Sequence, residues 1–119
     1  MQTIYATAES VFQHHLTALG NNDLEEVLKD YTEHSELWSP DGEIAGLDAI
    51  SAFYSFVFTI FPKGSTTLEI KKMTSKGDKV FIIWTADSPA VTVSFAADCF
   101  EIKDGKIVWQ STAYQMLQK

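Results

Sequence analysis

Residues 80–116 read VFIIWTADSPAVTVSFAADCFEIKDGKIVWQSTAYQM, and the fold turns on how they are parsed. Lys79–Asp87, Ala90–Ile102 and Lys106–Met116 are rich in β-branched and aromatic side chains, and Ser88-Pro89 and Asp104-Gly105 punctuate them as turns. Loops this short join neighbouring strands antiparallel. Upstream, Thr66–Thr74 reads as a further strand, set off by Lys76-Gly77-Asp78. Val80–Ala86 is apolar at both phases of the strand alternation, which predicts a strand covered on both faces. Helices supply one cover. In a chain of 119 residues, the other is expected to be a second copy of itself.

The residues before Gly64 follow a helical period instead. Ile4, Ala8, Val11, Phe12, Leu16 and Leu19 share one helix face, and His15 lies on that same face while His14 points to water. Gly20 is the expected stop. Asn22 and Glu25 have capping-box spacing for a second helix, whose stripe is Leu24, Val27, Leu28 and Tyr31. His34–Trp38 reads as a short strand entering the turn Ser39-Pro40-Asp41-Gly42. A third helix runs from about Asp48, its expected cap, to Phe61, where Pro62 ends it. Nothing suggests more than one domain, residues 1–119.

Composition narrows the partners. Nine basic residues, all lysine, face sixteen acidic ones, for a formal net charge of −7. No basic face is available for nucleic acid, and without arginine the usual bidentate clamp for phosphate or carboxylate is missing. A neutral, apolar small molecule is the expected ligand. The longest unbroken apolar run, Val80–Trp84, falls far short of a membrane span of ~20 residues. One cysteine, Cys99, allows no intramolecular disulfide. The opening MQTIYATAES lacks a basic region followed by an apolar one, so a cytoplasmic location is the expectation. No cofactor motif occurs. His34 with Glu33 and Glu36 alternates along an exposed strand and makes a poor metal cage.

Three stretches together resemble the nuclear transport factor 2-like superfamily: LTALGNNDLEEVLKDYTEHSELWSPDG (16–42), EIAGLDAISAFYSFVF (43–58) and DCFEIKDGKIVWQSTAY (98–114). The resemblance implies an α+β, cone-shaped barrel, with three N-terminal helices packed in a strongly curved antiparallel sheet. It also implies a pocket at the open end and a homodimer through the outer sheet face. Ketosteroid isomerases and SnoaL-like polyketide cyclases belong to this group, and so do members without chemistry; a reaction must therefore be argued from residues.

Carried over by position, the isomerase general base falls at Ser39 and the cyclase aspartate at Thr112; neither side chain is a base. The isomerase's phenol donor falls at His15, and its oxyanion-hole acid at Asp98, two residues before Phe100. Asp98 interrupts a run of small and apolar residues, and alternation with Phe100 points it inward. Burial there would raise its pKa. Asp98 and His15 are therefore the candidate catalytic residues, and Trp38, Ser39, Phe56, Phe61, Thr112 and Tyr114 the candidate ligand-binding ones. Trp84 and Trp109 are assigned to the outer face and the dimer contact. Three functions remain open: proton-transfer chemistry on a carbonyl-bearing ligand, ligand binding without turnover, or a dimer whose interior its own aromatics fill.

Overall fold

The structure, a computed structural model, describes residues 7–119; Ile4 lies outside them. Helix α1, Ala8–Gly20, starts at Thr7, whose Oγ1 accepts the Ser10 N–H at 3.0 Å. It buries Ala8, Val11, Phe12, His15 and Ala18. Helix α2, Leu24–Leu28, is capped by Asp23 accepting from the Glu26 N–H at 3.2 Å, in place of the expected Asn22–Glu25 box. Asn22 is otherwise engaged. It adopts a left-handed φ of 51°, the role expected of Gly20, which stays helical. Its amide then donates to the Phe61 carbonyl at 3.1 Å and accepts the Lys63 N–H, latching the α1–α2 corner to the end of the third helix.

Strand β1, Tyr31–Ser39, begins earlier than the sequence suggests and takes Tyr31 out of the helical stripe. It pairs with β2, Gly42–Ala45, across the expected turn. Helix α3, Leu47–Ile60, follows Gly46, whose φ of 85° favours glycine and where a Cβ would make a tight 3.3 Å contact with the Glu33 carbonyl oxygen. Asp48 lies in the first turn without capping it. Strands β3 (Thr67–Lys76), β4 (Lys79–Asp87), β5 (Val91–Lys103) and β6 (Lys106–Gln118) complete the chain.

The sheet corrects the barrel expectation. Its six strands lie in the order β2-β1-β6-β5-β4-β3, with β2 and β3 at opposite edges. It is open, neither closed nor wrapped into a strongly curved cone. It is also mixed, because β1 runs parallel to β6. Loop length dictates direction only for strands joined by a hairpin. β1 and β6 are separated by most of the chain, so nothing local dictates their direction. α3 carries the chain from one edge strand to the other, and the two edges never meet.

All three helices lie against one face of this sheet. Phe12 packs on Phe100 with ring centroids 5.3 Å apart, and Leu37, Ile50 and Ile107 are wholly buried beside them. Burying each such side chain contributes about 1.5–3 kcal/mol. The interhelix latch at Asn22 gives a testable consequence. Asn22→Ala should lose about 1–3 kcal/mol, since it strands a carbonyl and strains a left-handed residue. Asn22→Gly should lose less, because glycine tolerates the backbone angle. Urea unfolding of both variants checks the ranking.

Candidate functional site

Between α1, α3 and the inner face of β4–β6 the chain leaves a cavity of about 450 Å³. Its walls are mostly apolar: Phe12, Leu16 and Leu19 from α1, Phe53 and Val57 from α3 with Phe61 just past its end, and Ile82, Val93 and Phe100 from the sheet. Phe56, 61% exposed, stands at the rim, and Tyr114 lines the wall. The aromatics therefore line the space without filling it.

Asp98 lies on the inner face of β5, 7% exposed, opposite Ile82 on β4 and Thr112 on β6. Three neutral donors meet its carboxylate. Trp84 Nε1–H reaches Oδ1 at 3.0 Å, the Thr112 hydroxyl reaches Oδ1 at 2.8 Å, and the Gln110 amide reaches Oδ2 at 3.2 Å. Loss of solvent pushes the Asp98 pKa up, and the three hydrogen bonds oppose that without cancelling it. Behind Gln110 stand two buried phenols. Tyr31 donates to Gln110 Oε1, and the Tyr54 hydroxyl lies 2.7 Å from that of Tyr31.

His15 also lines the cavity, 2% exposed, with the rings of Tyr31, Tyr54 and Phe100 at 5.6–5.8 Å. Burial, reinforced by neighbouring His14, lowers its pKa to about 3, so the ring is neutral at pH 7. Its Nδ1 is buried with no hydrogen-bond partner among the described residues and lies 4.0 Å from Asp30 Oδ2. No hydrogen bond joins His15 to Asp98; they share the cavity, not a contact. His14 keeps the solvent contact expected of it, its side chain 41% exposed, and is also clamped: its Nδ1 lies 2.7 Å from Asp30 Oδ1 and its Nε2 3.3 Å from Glu26 Oε1.

Of the residues singled out in the sequence, Asp98, His15, Phe56, Phe61, Thr112 and Tyr114 come together around the cavity. Trp38 and Ser39 do not. β1 carries an irregularity between Tyr31 and Glu36 that leaves Leu37, not Trp38, facing inward opposite Gln110. Trp38 is 47% exposed on the outer face, edge-on to Trp109 at 5.4 Å. Ser39 closes the β1–β2 turn, its hydroxyl donating to the Gly42 carbonyl and accepting the Asp41 N–H. Trp84 moves the other way. A strand apolar at both phases does not reveal its inner face. The register of Ile82 against Asp98 puts Trp84 inside, leaving only Trp109 of the two on the outer surface. Gln110, Tyr31 and Tyr54 join the site without a motif to single them out. A glutamine in phase with Thr112 on a strand is the available signal for the first; in the sequence the tyrosines are indistinguishable from ordinary core.

With this geometry established, comparison with known proteins identifies the family. A family model described as a SnoaL-like domain matches residues 12–110, and the chain belongs to that family. Its fold is nuclear transport factor 2-like. A nuclear transport factor 2-like protein of unknown function from Cytophaga hutchinsonii superimposes with a TM-score of 0.75 at 16% identity, covering 97% of this chain and 95% of that one. A candidate polyketide cyclase from Sinorhizobium meliloti gives 0.73 at 18% identity, covering 86% and 92%. An LEH-like epoxide hydrolase from M. tuberculosis gives 0.71 at 18% identity, covering 91% and 82%. No curated protein matches the chain. No helix among the described residues is long and apolar enough to cross a membrane.

The His14 clamp carries a pH signature. Its hydrogen bond to Asp30 is the main cause of a pKa raised above 6.5. The protonated ring's contribution is therefore fully present below 6.5 and is lost as pH rises through the elevated value. Because buried His15, with its lowered pKa, works in the opposite sense, the test is the difference between wild type and His14→Gln in chemical denaturation: from pH 6 upward the wild type's stability advantage over the variant should shrink. An advantage that stays constant with pH contradicts the clamp.

Proposed function

We propose that the protein binds a neutral, largely apolar small molecule in this cavity and exchanges a proton with it through Asp98. The observation that carries the reading is Asp98 itself: among the described residues it is the one carboxylate lining a predominantly apolar space, oriented by Trp84, Thr112 and Gln110. Its raised pKa moves it towards the range useful to a general base.

A carbonyl-bearing ligand suits this arrangement. A C–H beside the carbonyl gives its proton to Asp98, and the electron pair it leaves delocalises onto the carbonyl oxygen as an enolate. Neutral His15 carries one ring N–H and supplies a donor for that oxygen. Return of the proton at a different carbon completes an isomerisation. Dehydratase- and cyclase-type reactions can open with the same abstraction. Family membership supports small-molecule chemistry of this kind without naming the reaction. The protein is read as working without a cofactor or metal.

A second reading, binding without turnover, draws on one observation. Thr112 occupies the position where the resemblance expects the cyclase base, and its hydroxyl is already committed to Asp98. Deuterium uptake separates the two. With tetralone as probe in heavy water, wild-type protein should speed exchange of the hydrogens beside the carbonyl, and Asp98→Asn should lower that rate by about 10²-fold or more. Quenching of tryptophan fluorescence by tetralone, without any exchange, would favour the binding module.

The outer face is proposed to meet a second copy of the chain. Trp38, Phe95 and Leu117 are exposed there beside half-buried Phe81, Ile83 and Trp109. Such an apolar aromatic patch is costly to leave in water. Trp109→Glu should convert a dimer into a monomer on size-exclusion chromatography. An unchanged elution volume would refute the assignment.

A further inference from the structure

We propose that Tyr54 and Tyr31, acting through Gln110, hold Asp98 as a hydrogen-bond acceptor, so that the cavity selects ligands presenting a hydroxyl or N–H donor to Asp98 Oδ2. This deepens the binding reading above and rests on it.

Tyr31 donates to Gln110 Oε1, and Tyr54 lies 2.7 Å from the Tyr31 oxygen and 3.4 Å from the same amide oxygen. Both phenols are buried, which raises their pKa values and keeps them protonated. An amide whose oxygen is taken by phenols can turn only its NH₂ towards Asp98, which it meets at Oδ2. The orientation of Gln110 is thus dictated from behind. Trp84 Nε1–H is a donor with no capacity to accept, and it faces Oδ1 together with the Thr112 hydroxyl.

A carboxylate offers about four acceptor sites. Oδ1 uses two and Oδ2 uses one, leaving the vacancy on Oδ2. An ether or carbonyl oxygen placed there meets a lone pair with no proton between them. An alcohol, enol or phenol completes the set. The expected ligands are therefore neutral, largely apolar compounds that carry a hydroxyl or N–H donor for Oδ2 besides any carbonyl directed at His15, and Oδ2 is the atom that would take a proton. Gln110 is a positioning residue in this scheme. Of the other titratable groups lining the cavity, His15 on α1 lies beside the phenols and is neutral, and Lys63 and Tyr114 complete the set.

Two measurements test this on the full chain. The first compares naphthol with its methyl ether, two probes of nearly one shape, by fluorescence quenching in a Trp38→Phe/Trp109→Phe background where only Trp84 reports. Naphthol should bind about tenfold more tightly, as a hydrogen bond to a charged acceptor implies, and Asp98→Asn should erase the preference. Equal affinity for the two probes overturns the ligand class while leaving cavity binding intact. Failure of both to bind overturns the cavity reading itself. The second measurement follows the Asp98 carboxyl carbon by NMR through a pH titration. Tyr31→Phe/Tyr54→Phe frees the amide to turn, and Gln110→Leu removes it; each should move the Asp98 titration to higher pH. Should the double variant fail to fold, Tyr31→Phe alone removes the direct donor to Gln110. A titration that stays in place in the folded variants overturns the positioning role.

Discussion

The structure is organised around a carboxylate that has left water without meeting a cation. The chain contains no arginine, and the donors on Asp98 are an indole, a hydroxyl and an amide. An unpaired charge in such surroundings is expensive, and partial charges supplied by fixed dipoles are the remaining means of holding it. Each donor comes from a different position on the inner sheet face: Trp84 from β4, Gln110 and Thr112 from β6. The strands must therefore hold their register for the carboxylate to be tolerated at all. Fold and site share one condition.

Strand order supplies that condition. β6 lies between β1 and β5, so Gln110 has Leu37 on one side and Phe100 on the other. Tyr31, at the start of β1, and Tyr54, on α3, approach it from the helical side. The same order puts β2 and β3 at the two edges and leaves the sheet open. The helices then cover only part of the inner face, and the uncovered remainder is the cavity. His15 is held there by packing alone, ringed by three aromatic side chains.

Much of this was legible in the sequence, for reasons that also explain the misses. Helical periods, turn residues and the carboxylate interrupting an apolar run located α1, α3, the hairpins and Asp98. Alternation then failed where both phases were apolar. Trp84 in VFIIWTA and the adjacent Leu37 and Trp38 could each be placed only by a partner strand's register, which is a non-local quantity. Bulges compound this by changing phase within a strand, as between Trp84 and Ala86. The parallel pairing of β1 with β6 was likewise outside the reach of loop-length reasoning. Asn22 misled for a different cause: its capping-box spacing was sound, but its side chain bonds to residues 39 and 41 positions away.

The β1–β6 pairing has a consequence for how the molecule comes into being. Tyr31 is aligned with Ile107, and closing so long a loop is entropically slow compared with zipping up a hairpin. The hairpins of β3–β6 can form early, each from its own turn. The first strand must wait for the last. On a ribosome, where the chain emerges from its N-terminus, β1 is made long before its partner exists, and the aromatic faces of α1 and α3 have no finished sheet to rest on. The cavity is therefore a late product of synthesis, completed only when the C-terminal strand arrives. Shielding of its greasy walls until then falls to whatever the cell provides for unfinished chains.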